Sequence, residues 1–486
     1  MKGFAILLLS CVVFVACQDS YKKSEIKGHF VGYIPNEVRY SVPVNGVCYE
    51  FFNTVTNVDS SGNFKIENDT KSPCFTTLFL KEGRGQFILE PNENYGIDIE
   101  SKGYSNRYEY TCKSRKVQEA YQNLVSPLHP QVEAMNFLSL PIEMAYHNIG
   151  LKLKQDIEVF EKLLNNDEIS KETLDLIKLD RAIFYNSVLG YVATLKFVRI
   201  KRRDLEANAD SITQVWGKAI TGIPLNTESF LKSKWAYYFI ENYLLYKEYT
   251  QKDYNWDSRK TAREEDKIHT YLMGVAKNYL NDKVLEFYTA SYIITAAKLK
   301  KFEKELIDLF ENFKADFPES NYTRFLTPEI EKIREFYQVA EKKPDDSIIF
   351  LNNYEKLNSL SQILLPFKGK KVYVDIWSTS CSPCKDDFEF KKDLNDLLKS
   401  KKIEMLYISL TGDNKEQKWK DMIKYYNLTG YHIRANKELK ADLEHILGSY
   451  WIPRYLLIDE NGNIISNDAK RPSELKDLEK QIHELL

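Results

Sequence analysis

Hydrophobic and polar positions follow different patterns in successive parts of the chain. Between about residues 25 and 105, short runs of alternating apolar and polar residues are separated by turn signals such as Asn45-Gly46, which predicts β-strands. From about 113 to 343, apolar residues recur three and four positions apart, the spacing of amphipathic helices. After 345, strand-like and helix-like segments alternate. The chain is therefore expected to contain an all-β region (25–110), an all-α domain (111–341) and an α/β domain (342–486).

The same patterns predict individual elements. Aromatic stripes in the helical domain, for example Trp235, Tyr238 and Phe239, are interpreted as core, with a peptide-binding groove as the alternative. The basic cluster within 196–203 is followed by acidic residues and is interpreted as a solvated face. The expected strands are 26–33, 38–44, 47–58, 63–67, 75–81, 86–99, 371–377, 403–410, 431–435, 454–458 and 463–466. The expected helices of the α/β domain are 385–400, 415–426, 437–447 and 473–486, around a sheet of four or five strands.

The N-terminus differs from the rest of the chain. A positive charge at Lys2 precedes an apolar run that is too short to span a bilayer, so residues 1–16 are expected to be a signal peptide. The run ends at Ala16-Cys17, which resembles a bacterial lipobox, although Phe14 stands where Leu is usual. We expect cleavage after Ala16, lipidation of Cys17 and a tether over 17–24. An ordinary secretory signal and an uncleaved anchor are the alternatives.

Composition and cysteine content narrow the function. A formal net charge of −2 over 486 residues gives no sign of a nucleic-acid partner. Five cysteines lie beyond Cys11 and Cys17, too few for disulfides to hold a chain of this length. In an oxidising compartment Cys48 and Cys74 could form a bridge, or both could be buried free thiols.

The strongest chemical motif is Cys381-Ser382-Pro383-Cys384, which follows a β-branched run and precedes a helical pattern. A cysteine at a helix N-terminus is favoured as a thiolate, and Pro383 suits the first turn. Two cysteines this close can alternate between dithiol and disulfide, so this pair is the predicted redox centre, without any other cofactor. Cys381 is expected to attack and Cys384 to resolve the mixed disulfide. A structural zinc site needs four ligands and this motif supplies two, so no metal site is predicted.

Asp375 is the polar exception in an otherwise apolar strand. A carboxylate is costly at a position buried on both faces of a sheet unless it has a role. Burial would raise its pKa and let it accept the proton of Cys384. The alternative is an aspartate at the strand end that faces solvent.

The segment 345–486 resembles the thioredoxin superfamily, and more closely the membrane-anchored TlpA/ResA-like thiol-disulfide oxidoreductases of bacteria. The resemblance lies in Val-Asp-Ile-Trp (374–377) before the cysteine motif and in Tyr-Trp-Ile-Pro-Arg (450–454) before a closing hairpin. The sequence departs from the family at Ser380 and Ser382, which leaves the redox potential and substrate open.

The resemblance implies several features beyond the motif itself. Pro453 would be the family's cis-proline beside the disulfide, and Ile452, Ser382 and Pro383 would line the substrate groove with Trp377. Trp377 could equally belong to the core. Segments 59–64 and 87–95 resemble the small β-sandwich that precedes many such domains, so the all-β region is expected to be a sandwich.

Taken together, the sequence predicts an exported, lipid-anchored thiol-disulfide oxidoreductase of a Gram-negative cell envelope, either periplasm-facing or an outer-membrane lipoprotein. Protein disulfides would be its substrates, and a reductase recycled by a membrane thiol reductant is the favoured direction. A disulfide oxidase or isomerase is one alternative. The other is a non-catalytic envelope adaptor whose cysteine pair only senses redox state.

Overall fold

The computed structural model describes residues 23–69, 71–81, 83–101, 105–202, 209–251, 257–448 and 451–486. The predicted signal peptide (1–16), Cys17 and most of the predicted tether (17–24) lie outside the described residues. The chain divides into two compact units, Met1–Tyr254 and Asn255–Leu486. No helix in the described ranges is long and apolar enough to cross a membrane.

The first unit begins with two four-stranded sheets. Their strands are β1 (Ser24–Val31), β2 (Glu37–Ser41), β3 (Asn53–Asn57), β4 (Asn63–Asn68), β5 (Cys74–Leu80), β6 (Gly83–Leu89), β7 (Asn94–Ser101) and β8 (Asn106–Thr111). The strand orders are β4-β1-β7-β8 and β3-β2-β5-β6. Inward residues of both sheets form one apolar core that includes Ile26, Leu78 and Phe87, so the region is a β-sandwich. The predicted strand 86–99 is in fact two strands, separated at Pro91, and β8 was not predicted.

Helices pack against one sheet of this sandwich. They are α1 (Arg115–Gln122), α2 (Pro130–Ala134), α3 (Ile142–Asn165), α4 (Lys171–Arg202), α5 (Ala209–Thr221), α6 (Glu228–Leu231) and α7 (Ala236–Gln251). A second core joins Phe75 and Ile88 of the sheet to Tyr121 and Phe160 of the helices. The amide of Gln118 on α1 accepts from the Ile88 N–H at 3.0 Å and donates to the Ile88 carbonyl at 2.8 Å. The helix thereby pairs with the outer strand β6.

The second unit combines helices with an α/β domain. Its elements are α8 (Asp257–Glu264), α9 (Ile268–Tyr279), α10 (Asp282–Lys298), α11 (Glu305–Asp316), α12 (Thr323–Ala340), β9 (Ile348–Phe350), α13 (Leu360–Leu364), β10 (Lys371–Trp377), α14 (Ser382–Asp387), α15 (Lys391–Ser400), β11 (Ile403–Ser409), α16 (Glu416–Tyr425), β12 (Gly430–Arg434), α17 (Lys437–Leu447), β13 (Arg454–Ile458), β14 (Ile464–Ser466) and α18 (Leu475–Leu485).

The sheet of this unit has six strands in the order β14-β13-β10-β11-β12-β9. Strand β10 lies inside it, parallel to β11 and antiparallel to β13. The expectation of four or five strands is corrected by β9, whose three residues are too few to show alternation. The predicted helix 385–400 is also corrected: a 3₁₀ turn at Phe388–Phe390 separates α14 from α15, and Phe388 packs edge-on against Trp377.

The division between the units falls inside the predicted helical domain 111–341. Helices α1–α7 belong to the unit of the sandwich, whereas α8–α12 belong to the unit of the α/β domain. The physical reason is aromatic packing: Phe302 stacks on Phe336 of α12 at 4.6 Å and meets Tyr425 of α16 edge-on at 4.9 Å. The exposed 342–346 segment is a connection within the second unit.

Candidate functional site

Cys381 and Cys384 lie where β10 ends and α14 begins, as the sequence predicts. They form a disulfide with a Cα–Cα distance of 5.4 Å. Cys381 is the N-cap of α14, and its sulfur accepts from the Cys384 N–H at 3.2 Å. Cys381 is 8% exposed and Cys384 is 0% exposed. Cys381 is therefore the sulfur that another molecule can approach.

The loop before Cys381 is held by short polar contacts. The Thr379 N–H donates to the hydroxyl of Thr411 at 3.0 Å, and the Cys381 N–H donates to the Ser378 carbonyl at 3.1 Å. Of the predicted groove residues in this region, Ser382 is half-buried and Pro383 is exposed, so both present surface near Cys381.

Asp375 is buried within β10 and 1% exposed, which excludes the alternative of a solvent-facing aspartate. It is in register with Tyr407 of β11 and Tyr455 of β13. Its Oδ1 has no hydrogen-bond partner among the described residues. Burial raises the pKa of Asp375 well above its usual value, the nearby carboxylate of Asp387 raises it further, and Arg471 acts in the opposite direction.

The structure adds a group of polar residues that the sequence reasoning missed. Asp387, buried on α14, accepts from the Tyr455 hydroxyl at 2.7 Å. It also accepts from Nε and Nη2 of Arg471 at 2.9 and 2.7 Å. Asp387 is thus a paired buried carboxylate near the unpaired Asp375. Its position three residues after Cys384, on the same helix, is the signal that could have indicated it.

The predicted cis-proline is present, because the Ile452–Pro453 peptide bond is cis. Ile452 and Pro453 are half-buried, and the preceding Trp451 is 86% exposed. Tyr450, which belongs to the same motif, lies outside the described residues.

The structure corrects the expectation that Trp377 lines the substrate groove. Its side chain has no exposed surface and packs edge-on against Phe388 with the ring centroids 5.1 Å apart. A residue without accessible surface cannot line a groove, so Trp377 belongs to the core. Position alone did not distinguish the two, since both interpretations place an aromatic residue at the end of the strand.

Three further described cysteines, Cys48, Cys74 and Cys112, belong to the first unit. None of the three forms a disulfide with a described residue, and Cys48 and Cys74 are buried. Of the two alternatives for Cys48 and Cys74, the structure thus has the pair of buried thiols. In the described part of the chain, no group of three or more His, Cys, Asp or Glu residues is arranged to hold a metal ion.

Comparisons with known proteins agree on the C-terminal part of the chain. A family model described as Redoxin matches residues 338–482. Thiol-disulfide oxidoreductase ResA of Bacillus cereus is 30% identical over 105 residues, which cover 21% of this chain and 56% of that protein. Sporulation thiol-disulfide oxidoreductase A of Bacillus subtilis (strain 168) is 27% identical over 128 residues, 26% of this chain and 74% of that protein. The chain thus spans about half the length of its ResA relative.

Solved structures of other thiol-disulfide proteins match about a quarter of this chain. The thioredoxin domain of a thiol-disulfide oxidoreductase from Bacteroides vulgatus is 24% identical, with 25% of this chain and 82% of that chain covered and a TM-score of 0.22. A thiol:disulfide interchange protein from Bacteroides sp. is 26% identical, with 24% and 76% covered and a TM-score of 0.21. These TM-scores are low, and it is the sequence matches that support a thioredoxin-like oxidoreductase domain in the C-terminal part of the chain.

Proposed function

We propose that this protein is a thiol-disulfide oxidoreductase that reduces protein disulfides outside the cytoplasm. The observation that supports this most directly is the position of the Cys381–Cys384 pair at the start of α14, after the strand that carries the buried Asp375. The Redoxin match over 338–482 and the ResA relative support the same chemistry.

The reaction begins from the dithiol. The Cys381 thiolate attacks one sulfur of a substrate disulfide, which forms a Cys381–substrate disulfide and releases the other substrate sulfur as a thiolate that takes up a proton. Cys384 then loses its proton and attacks the Cys381 sulfur. The second substrate thiol leaves, and the Cys381–Cys384 disulfide remains. Two electrons pass from the protein to the substrate, and a membrane thiol reductant would restore the dithiol.

Asp375 is the group that we assign to the proton of Cys384. A carboxylate whose pKa is raised by burial holds a proton more readily than an exposed one, which suits it to accept the proton of Cys384. Pro453 and Ile452 would shape the groove for an extended substrate segment, together with Ser382 and Pro383. Lipidation of Cys17 would hold the protein at the membrane surface of the cell envelope.

The test is the reduction potential of the Cys381–Cys384 couple in the whole protein, measured against glutathione. A value near about −270 mV, as in thioredoxin, would support a reductase. A value near about −120 mV would make the protein a disulfide donor and contradict the proposed direction. If the couple does not cycle at all, the enzyme proposal fails.

A trapping experiment tests the roles of the two sulfurs. Cys384→Ser should accumulate a mixed disulfide between Cys381 and a substrate protein, because the resolving sulfur is missing. Cys381→Ser is the matched control and should trap nothing. Equal trapping by both variants would contradict the assignment.

A further inference from the structure

Within the second unit, a turn that follows α10 contacts α14, the helix that begins at the cysteine pair. Lys385 directly follows Cys384, and its side chain is fully buried. Its ammonium donates to the carbonyl oxygens of Leu299 at 3.0 Å, Lys300 at 2.8 Å and Thr379 at 3.1 Å. Thr379 lies two residues before Cys381. One ammonium group therefore joins the loop before the attacking cysteine to the 299–300 turn that follows α10.

The 299–300 turn is fixed in the conformation that this contact needs. Lys300 and Phe302 have φ angles of +53° and +51°, a left-handed conformation that residues other than glycine seldom adopt. Stacking of Phe302 on Phe336 holds one end of the turn. The Lys300 ammonium holds the other through ion pairs with Asp386 at 2.7 Å and Glu389 at 2.9 Å. The carbonyls of the turn are thus directed at the Lys385 ammonium by contacts on both sides.

The surroundings of this ammonium are unusual for a buried charge. Carbonyl oxygens receive its hydrogen bonds, and no carboxylate of the described residues forms an ion pair with it. Burial lowers the pKa of Lys385 to about 8, the neighbouring cations Lys418, Lys301 and Lys300 lower it as well, and Asp386 acts in the opposite direction. A buried cation without a paired anion favours negative charge that develops nearby. Lys385 follows Cys384 directly, and Thr379, which accepts from its ammonium, lies two residues before Cys381, so the thiols that become thiolates in the proposed reaction belong to the segments that this ammonium joins.

We propose that Lys385 is a positioning residue for the redox couple: its ammonium holds the 379–381 loop against the 299–300 turn and favours the thiolate form of the reduced pair. This inference rests on the proposed function. It makes the helical segment 257–341 a part of the redox centre, because two of the three carbonyls that hold Lys385 come from that segment.

The test is Lys385→Met in the whole protein, since methionine removes the charge and the donors but keeps an unbranched stem. In equilibrium with glutathione, the ratio of dithiol to disulfide should fall tenfold or more. This corresponds to a reduction potential that is lower by about 30 mV. The pH midpoint for alkylation of Cys381 should rise, because the thiolate loses a favourable charge. Lys399→Met, at an exposed position on α15, is the matched control: it removes a lysine charge from the same unit but leaves the 299–300 turn, its ion pairs and Lys385 in place. It should change the dithiol-to-disulfide ratio, and the acid dissociation constant of Cys381 derived from the alkylation midpoint, by less than twofold each.

The possible outcomes separate the proposals. If Lys385→Met melts at a lower temperature but keeps the wild-type potential and alkylation midpoint, Lys385 only stabilises the fold and the inference is overturned. Should Lys385→Met fail to fold, Lys385→Gln, which retains an N–H donor without the charge, gives the same readouts with the same meaning. If the wild-type protein has no reversible couple, the proposed function fails and this inference fails with it.

Discussion

The two compact units contain similar groups but use them differently. Both have buried cysteines and a lysine whose pKa burial lowers to about 8, Lys234 in the first and Lys385 in the second. Lys234 donates to the side chains of Gln86 and Ser126 and lies over the ring of Tyr121, so its partners are side chains of the sandwich and its helices. Lys385 instead donates to backbone carbonyls, two of the 299–300 turn and that of Thr379 in the loop before Cys381. A shifted pKa therefore does not identify a functional group; the atoms around it do.

The largest expected difference between the units concerns their cysteines. Cys381→Ser should abolish reduction of a protein disulfide, since no attacking thiolate remains. Cys48→Ser in the first unit should retain full activity, because burial raises the pKa of Cys48 to about 12 and keeps it a thiol. Release of free thiols from a model disulfide protein measures both. Loss of activity in Cys48→Ser with an intact fold would show that the first unit takes part in the chemistry.

A smaller effect on activity is expected from replacing Asp375, the buried aspartate of the second unit whose Oδ1 has no hydrogen-bond partner among the described residues. Asp375→Asn should slow resolution by Cys384 by about 10²-fold at neutral pH, because the proton acceptor is lost. Above about pH 4 the variant should also be more stable than the wild type. The folded wild type binds the proton of Asp375 more tightly than its unfolded chain does, so the wild type loses stability as the pH rises, whereas the variant does not. Stopped-flow turnover and denaturant unfolding measure the two effects. Asp396→Asn, an exposed position on α15, is the control and should change neither.

Lys234 and Lys385 should have the same effect on the pH dependence of protein stability but different effects on the redox potential. The pKa of each lysine is about 8 in the folded protein, below the usual lysine value of about 10.4. Burial of the charge therefore lowers the free energy of unfolding by its full amount below about pH 8. This destabilisation is relieved as the pH rises from about 8 toward about 10.4. The stability of the wild type relative to Lys234→Met or Lys385→Met should therefore rise across that window in urea unfolding. Only Lys385→Met should also change the redox potential. A change of potential in Lys234→Met would remove the distinction between the two regions.

The smallest effect concerns a turn that is found in the described residues of both units. Asp59 accepts from the N–H groups of residues 61 and 63, and Asp459 accepts from those of 461 and 463, with a glycine at positive φ in both turns. A Cβ at Gly62 would meet the Phe30 carbonyl at 2.8 Å, whereas one at Gly462 would meet nothing within 4 Å. Gly462→Ala should lose about 1 kcal/mol of unfolding free energy for the backbone conformation alone. Gly62→Ala should lose more, as measured by the midpoint of urea unfolding.

Features that depend on local sequence were predicted well. The bounds of α17 and β13 agree with the predicted 437–447 and 454–458, because Asn436 caps the helix through the Leu439 N–H and Gly448 follows its end. The burial of Asp375 followed from one polar residue in an apolar strand. These signals lie within a few residues of the feature that they predict.

Features that depend on distant parts of the chain were not predicted. The partners of Asp387 are 68 and 84 residues away, and no spacing in the sequence connects Tyr455 or Arg471 to α14. Lys385 has the sequence context of a solvated helix residue, and only the 299–300 turn, about 85 residues earlier, explains its burial. The division of the helical region between the two units depends on the same kind of contact.

The glutamines of α1 have a consequence for association between molecules. Strand β6 ends its sheet, and an outer strand with free N–H and carbonyl groups can recruit a strand from another chain. Gln118 satisfies both backbone groups of Ile88, and Gln122 accepts from the Gln86 N–H at 2.7 Å and donates to the Arg84 carbonyl at 2.9 Å. Two side-chain amides on one helix face thus occupy the positions of a neighbouring strand. They block edge-to-edge aggregation along β6 without adding a strand that would itself need protection.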